Sequence, residues 1–161
     1  MCCCYSRDFS QLVRTISVSA LLTCWLQNLV LSFTLMRSNS RFPKATLTAI
    51  REGKILGIRA STKPHRIIGI WVVVVEGRVF VRSWSLKPRS WYRTFLEEPR
   101  GVIEVNRREI PVRAIFTSSE RLKTAVDRAY REKYHTPGSL HFVKGFRLKK
   151  RRDTTTELAP L

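Results

Sequence analysis

Residues 70–99 read IWVVVVEGRVFVRSWSLKPRSWYRTFLEEP, and the architecture of the chain can be worked out from them. The β-branched run, extended back to residue 67, predicts a central strand over 67–75 that is buried on both faces. Glu76-Gly77 predicts a tight hairpin turn. Residues 78–84 alternate between apolar and polar side chains, as a half-buried strand does. The segment therefore predicts two antiparallel strands joined by a short turn.

A basic aromatic segment, Lys87–Arg93, follows the second strand and holds three cations and two aromatic rings. Pro88 predicts a turn, and Ser90 is a suitable cap for a helix over residues 91–97 that Pro99 would end. Cations suit a phosphate, and flat rings suit a planar heterocycle. The segment is therefore either a cofactor site or an exposed basic loop.

The rest of the chain predicts four more strands and one more helix. The strands are expected over residues 54–60, 101–105, 109–116 and 154–158. Pro111 indicates a strand at the edge of the sheet, and Ser119 would cap a helix that runs to about Tyr134. About six short antiparallel strands with two helices make an α+β fold, mainly β. Such a meander closes most easily into a small barrel, because closure removes exposed strand edges.

The N-terminal part of the chain differs from the rest. Residues 1–45 form an apolar and linker segment, and residues 46–161 form the predicted barrel domain. Residues 12–36 are long enough to cross a bilayer, which takes about 20 residues, but a signal peptide is a second interpretation. A third is that Met36 is the true start, or that the segment is disordered. We expect a cytoplasmic protein, or a membrane-associated one if residues 12–36 are genuine.

The formal charge of +18 is extreme for 161 residues. Such a charge attracts anions, and the candidate partners are nucleic acid, acidic lipid or a phosphorylated cofactor. The basic run at residues 149–152 is the clearest single candidate for a polyanion contact, although such runs are also found as solvated surface. All four cysteines lie in the first 24 residues, so the domain has no disulfide framework and a reducing compartment is the default expectation.

Several kinds of catalytic site are not supported by the sequence. There is no glycine-rich phosphate loop, and His65, His135 and His141 lack the spacing of metal ligands. The adjacent pair Glu97 and Glu98 would point apart on a helix. We therefore predict no metal, identify no catalytic side chain, and expect a cofactor to carry any chemistry.

From about Arg59 to Phe116 the sequence resembles the FMN- and deazaflavin-binding split β-barrel proteins. These include the pyridoxamine-phosphate-oxidase-like and deazaflavin-dependent nitroreductase families. Lys87, the pair Trp91-Tyr92 and Pro99 match the nitroreductase motif without a gap. Thr94 stands where that family has an asparagine.

Most of residues 55–161 resembles an uncharacterised bacterial group. The shared features are Ile70–Val73, Val81–Ser83, Trp91–Arg93, Tyr130–Tyr134 and a final Thr-Glu-Leu-Ala-Pro.

The resemblance to the flavin-binding barrels implies a homodimeric split barrel that binds FMN or a deazaflavin. It would transfer a hydride or electrons to a small oxidised organic substrate. The residues implied in cofactor binding are, for the phosphate, Lys63, Arg66, Arg82, Ser83 and Lys87, and for the ring, Trp91 and the backbone of Gly69, Ile70 and Trp71. The alternatives are a cofactor-free module that binds nucleic acid or another polyanion, and an inert relative that keeps only the fold.

Overall fold

A computed structural model describes residues 41–161, so the predictions for residues 1–40 fall outside the described part of the chain. The strands are β1 (Leu56–Ala60), β2 (Ile68–Ile70), β3 (Val72–Val75), β4 (Arg78–Val81), β5 (Arg100–Val105), β6 (Arg108–Phe116) and β7 (Thr156–Pro160). The helices are α1 (Lys44–Glu52), α2 (Trp91–Glu97), α3 (Glu120–Lys133), α4 (Pro137–Phe146) and α5 (Lys149–Arg152). No helix within residues 41–161 is long and apolar enough to cross a bilayer.

The seven strands form one sheet in the order β2-β1-β5-β6-β7-β4-β3, and every neighbouring pair is antiparallel. The sheet curls into a nearly closed barrel. Its two end strands, β2 and β3, are joined in the chain by Trp71 alone. The predicted α+β class and the small antiparallel barrel are confirmed.

The core has two parts, because alternate side chains of a strand point to opposite faces. Val72, Val79 and Val81 face a first cluster inside the barrel, which also holds Ile58 and Phe95. The intervening Val73 and Phe80 face outward and pack against a second cluster with Val126, Tyr130 and Phe146. The second cluster therefore attaches α3 and α4 to the outside of the β3–β4 hairpin.

Three local predictions are confirmed. Glu76 and Gly77 form the β3–β4 turn with φ values of 53° and 72°, the positive values that a two-residue hairpin of this type requires. The Ser90 hydroxyl caps α2 by accepting a hydrogen bond from Arg93 N. Ser119 caps α3 in the same way, through Leu122 N.

The predicted central strand over residues 67–75 is wrong. The chain breaks at Trp71, so the run supplies β2 and β3, which lie at the two ends of the sheet. The backbone at the break is bonded to side chains of α3 and its end: Val72 N donates to the Tyr134 hydroxyl (3.0 Å), and the Tyr130 hydroxyl donates to Trp71 O (3.2 Å). A continuous apolar run cannot reveal such a break, because the phenols that satisfy it come from about 60 residues away.

The edge position predicted from Pro111 is also wrong, because β6 lies between β5 and β7. The carbonyl of Pro111 accepts a hydrogen bond from Leu161 N (3.1 Å), one residue beyond the end of β7. The nitrogen of Pro111 faces the same side, so its missing N–H falls at the end of the β6–β7 ladder, where it costs a single bond.

Helices α1, α4 and α5 were not predicted. The last turn of α1 is held by Lys133, whose Nζ donates to Ile50 O (2.7 Å). Burial lowers the pKa of Lys133 to about 8. Because Lys133 lies in α3, far from α1 in the sequence, this stabilising bond could not be predicted from the residues of α1.

Replacing Tyr134 with Phe tests the break at Trp71. The change leaves the buried Val72 N–H without its partner, so we expect the free energy of unfolding to fall by about 2 kcal/mol. The measurement is urea denaturation. Tyr92→Phe is the control, since no hydrogen bond of the Tyr92 hydroxyl occurs among the described residues. Its effect should stay below about 0.5 kcal/mol. Equal stability of Tyr134→Phe and the wild type would contradict the role of the hydroxyl.

The stability difference between the wild type and Tyr134→Phe should depend on pH in the alkaline range. Burial raises the pKa of Tyr134 from 10.0 to about 12 in the folded protein. Above pH 10.0 the unfolded chain releases this proton first, so the stabilising effect is complete below that pH and is lost as pH rises to about 12. The stability difference between wild type and Tyr134→Phe should therefore shrink over this window in urea denaturation series. A difference that stays constant with pH would count against this assignment.

Candidate functional site

A cavity of about 380 Å³ opens beside the end strand β2. Its lining is supplied by β2, the segment that follows β4, the first residue of α2 and one face of α4. We call it the β2 cavity. The lining residues are mainly apolar or aromatic: Ile55, Ile68, Gly69, Ile70, Trp71, Arg82, Ser83, Trp84, Ser85, Trp91, Phe142 and Phe146.

Six of the nine residues predicted to bind a cofactor line this cavity: Gly69, Ile70, Trp71, Arg82, Ser83 and Trp91. The structure thus brings together the end of β2, the end of β4 and the start of α2, as the predicted site requires. The other three, Lys63, Arg66 and Lys87, are exposed and lie in the loops that lead into the cavity wall. None of these three side chains forms an ion pair with a residue in 41–161.

The loop that carries Lys63 and Arg66 is anchored at its start. Ser61 and Thr62 donate side-chain hydrogen bonds to the Glu98 carboxylate at the end of α2, at 2.8 and 3.2 Å. The Ser61 bond also lowers the pKa of Glu98. This anchoring attaches the loop between β1 and β2 to the helix that begins with Trp91.

Arg82 is a buried structural cation. Its side chain is fully buried, and its guanidinium donates to Thr155 Oγ1 (2.9 Å), Lys123 O (2.9 Å), Phe146 O (3.1 Å) and Asp127. Four of the five N–H groups of the guanidinium are used in this way. The predicted phosphate contact would therefore compete with bonds that join β4, α3, α4 and the start of β7.

Ser83 is held in a similar way. Its backbone N–H donates to Thr154 Oγ1 (2.9 Å), and its hydroxyl donates to Ser85 O (2.6 Å). The Ser83 oxygen keeps its acceptor capacity, but its one proton is already used within the 83–85 segment. Ser83 therefore contributes to the shape of the cavity wall, and its hydroxyl proton is not free to bond to a ligand.

Trp71 has one ring face covered. It stacks on Tyr134 with ring centroids 4.1 Å apart and planes 3° apart, and Phe142 meets its ring edge-on at 5.6 Å. These contacts fix the orientation of the indole at the cavity wall. The indole ring of Trp71 therefore has a fixed position in the cavity wall before any ligand binds.

Trp84, Phe142 and Phe146 are the principal lining residues that the sequence analysis missed. Trp84 meets Phe142 and Phe146 edge-on, at 5.0 and 5.6 Å. The available signal was the spacing of Phe142 and Phe146, four residues apart after Pro137, which places both on one helical face.

Trp84 is itself fixed from two sides. The Arg151 guanidinium carbon lies 3.8 Å from its ring centroid, and Arg151 Nε donates to Trp84 O (3.1 Å). Gly145 of α4 lies against the ring, because a Cβ added there would come within 2.5 Å of it. The absence of a side chain at Gly145 is what lets α4 approach Trp84.

The basic run at residues 149–152 is largely used within the protein. Arg152 bonds to Asp127 (2.9 Å) and also pairs with Glu120, and Lys149 pairs with Asp153 (3.2 Å). The pKa of Glu120 is lowered by its bond to Arg152. Within residues 41–161, the Lys150 side chain has no hydrogen bond or ion pair and Arg151 has no carboxylate partner, so the charge of these two residues remains available to an anion.

Residues 41–161 contain no cluster of three or more histidine, cysteine, aspartate or glutamate side chains that could hold a metal ion.

The fold and the cavity define a small antiparallel β-barrel protein of the α+β class. Residues 45–158 match the family described as "Uncharacterized protein conserved in bacteria (DUF2255)", and the chain belongs to this family. Its structure is similar to that of the conserved hypothetical protein Rv2991 from Mycobacterium tuberculosis, with a TM-score of 0.45 and 12% sequence identity, over 76% of this chain and 81% of that chain. A search of curated proteins gives no match. The resemblance to flavin-binding barrels stays a prediction.

Gly145→Ala tests the close approach of α4 to Trp84. The added methyl group would collide with the indole ring, so we expect a loss of stability of about 1–3 kcal/mol and a change in tryptophan fluorescence. The measurements are urea denaturation and an emission spectrum.

The matched control lies in the same helix. An added Cβ at Gly138 meets nothing within 4 Å, so Gly138→Ala should be neutral or stabilising by up to about 1 kcal/mol. If both variants behaved alike, the packing of Gly145 on Trp84 would not be what positions α4.

Proposed function

We propose that this protein binds a phosphorylated flavin-type cofactor, FMN or a deazaflavin, in the β2 cavity. It would use the cofactor to reduce or oxidise a small organic substrate. The observation that carries the proposal is the combination of an apolar, aromatic cavity with a strand edge on one side and unpaired cations in the adjoining loops. When bound, such a cofactor would supply hydride or electron transfer.

The cavity suits a flat ring system. Its volume of about 380 Å³ falls in the range of about 300–1,000 Å³ that is typical of small-molecule sites. Trp71, Trp84 and Trp91 contribute three indoles to the lining, and Ile68 and Ile70 contribute aliphatic surface. The indoles are oriented by contacts with Tyr134, Arg151 and Phe95, so little side-chain freedom would be lost on binding.

Polar recognition of the ring would come from backbone groups. Within residues 41–161 β2 pairs only with β1, so its other edge presents peptide N–H and C=O groups that no strand of this part of the chain uses. Gly69 lies on this strand, and an added Cβ there would meet Ile55 at 2.7 Å. A glycine therefore lets the strand edge and Ile55 lie close together in the same wall.

The phosphate would be held by Lys87, Arg66 and Lys63. All three are exposed and unpaired within residues 41–161, and Lys87 follows the cavity residue Ser85 by two positions. Arg82 would contribute indirectly, because its guanidinium is bonded to Thr155, Lys123 and Phe146. Its role in this proposal is to hold the Ser83–Ser85 wall in place.

The side chains of this site would bind the cofactor, orient it and exclude water from it. Among the described residues that line the cavity, Arg82 is the one charged group, and four of its five N–H groups are bonded within the protein. The proposal therefore needs no acid or base from the protein.

The first experiment is a titration of the full-length protein with FMN, riboflavin and a phosphorylated deazaflavin, followed by fluorescence and visible absorbance. We expect saturable binding of a phosphorylated form, and weaker binding of riboflavin. Lys87→Ala should weaken FMN binding about tenfold, since a charge-assisted contact to phosphate is lost, and should leave riboflavin binding unchanged.

Lys44→Ala is the matched control, because Lys44 is an exposed, unpaired lysine at the start of α1. It removes the same charge away from the cavity, so FMN affinity should not change. Absence of saturable binding by every flavin would overturn the proposal. In that case, salt-sensitive binding of arbitrary single-stranded oligonucleotides would favour the cofactor-free polyanion module.

A further inference from the structure

A second cavity shares Trp84 with the β2 cavity. It measures about 400 Å³ and lies at the corner between α4 and α5. We call it the α4–α5 cavity. Its lining residues are Trp84, His141, Lys144, Gly145, Leu148 and Arg151. The lining thus combines apolar surface with basic side chains, and none of the described residues that form it is acidic.

Arg151 is oriented in this cavity without the help of a carboxylate. Its guanidinium carbon lies 3.8 Å from the Trp84 ring centroid, and its Nε donates to Trp84 O (3.1 Å). These two contacts use one N–H group and one face of the guanidinium. The other four N–H groups, on the two Nη atoms, have no hydrogen bond to a residue in 41–161. A guanidinium fixed in this way is prepared to bind an oxyanion with two parallel hydrogen bonds.

The charged residues near Arg151 also favour the binding of an oxyanion. Lys144 is exposed and unpaired within the described residues. Asp153, two residues after Arg151 in the sequence, is already bonded to Lys123 (2.8 Å) and Lys149 (3.2 Å). The positive charge of Arg151 and Lys144 is therefore not compensated by an ion pair with any residue in 41–161.

We propose that the α4–α5 cavity binds the oxyanion of a small ligand, a carboxylate or a phosphate monoester that carries an apolar or aromatic group. Arg151 binds the oxyanion through its two Nη atoms, and Lys144 adds a second charge. Leu148, whose side chain is 59% exposed, and the edge of Trp84 contact the apolar part. This inference does not depend on the proposed function, because none of the cations invoked for the flavin phosphate lines this cavity.

The test uses the full-length protein and three probes: benzoate, phenyl phosphate and inorganic phosphate. Binding is measured by calorimetric titration and by the shift of the indole N–H resonances in a ¹H–¹⁵N NMR spectrum. We expect saturable binding of benzoate or phenyl phosphate with a shift of the Trp84 signal. Comparison of the two identifies the preferred oxyanion, and inorganic phosphate should bind more weakly because it lacks the apolar part.

Three substitutions separate a specific site from general attraction by a basic surface. Arg151→Ala should weaken the preferred probe about tenfold or more, and Arg151→Lys should restore little, because a lysine lacks the planar fork. Arg147→Ala removes the same charge from an exposed, unpaired arginine between α4 and α5. It should weaken binding by no more than about twofold. Thermal unfolding of each variant checks that the fold is intact.

Three results would overturn the inference. The first is the absence of saturable binding by all three probes. The second is an equal loss of affinity in Arg151→Ala and Arg147→Ala, which would indicate attraction by the whole surface. The third is full recovery of probe affinity in Arg151→Lys, which would show that the planar fork of the guanidinium is not what binds the oxyanion. Failure of FMN to bind the wild type would leave the probe results unaffected.

Discussion

The hydroxyl of Tyr134 accepts a hydrogen bond from Val72 N (3.0 Å) and lies within bonding distance of Lys54 O (2.7 Å) and Val72 O (3.1 Å). It thus satisfies backbone groups at the point where the longest apolar run of the barrel breaks. Without it, a buried N–H at Trp71–Val72 would lack a partner, at a cost of about 1–3 kcal/mol. The break separates β2 from β3 and leaves β2 with an unpaired edge. The β2 cavity lies beside this strand, and its lining includes Ile68, Gly69 and Ile70.

Trp84 has a comparable role for helices α4 and α5, which both pack against it. Gly145 allows α4 to pack on its ring, and Arg151 of α5 lies over the ring and bonds to its carbonyl. Both cavities include Trp84 in their walls. A change at this one ring would alter the shape of both, although the cations proposed to act at each are different residues. The two cavities therefore share Trp84 as a wall residue, whereas the cations proposed to bind a ligand differ between them.

The sequence predicted those features whose cause is local. The hairpin at Glu76-Gly77 and the cap of α2 by Ser90 depend on residues within four positions of each other, and six of the nine expected site residues line one cavity. The break in the predicted strand and the bonds of Arg82 have long-range causes. The break at Trp71 depends on Tyr134, and the bonds of Arg82 reach residues from Lys123 to Thr155. An arginine at a strand end has the same sequence signature whether it binds a phosphate or the protein's own carbonyls.

The distribution of carboxylates explains where the high positive charge remains available. Within residues 41–161, seven carboxylates form ion pairs with eight cations. Several of these pairs join β4, α3 and α5, where Asp127 bonds to Arg82 and Arg152. Acidic groups in the basic chain are thus used to hold elements together. The loops beside the β2 cavity and the α4–α5 corner retain cations without acidic partners. Anions in solution are then the remaining source of compensating charge at these two places.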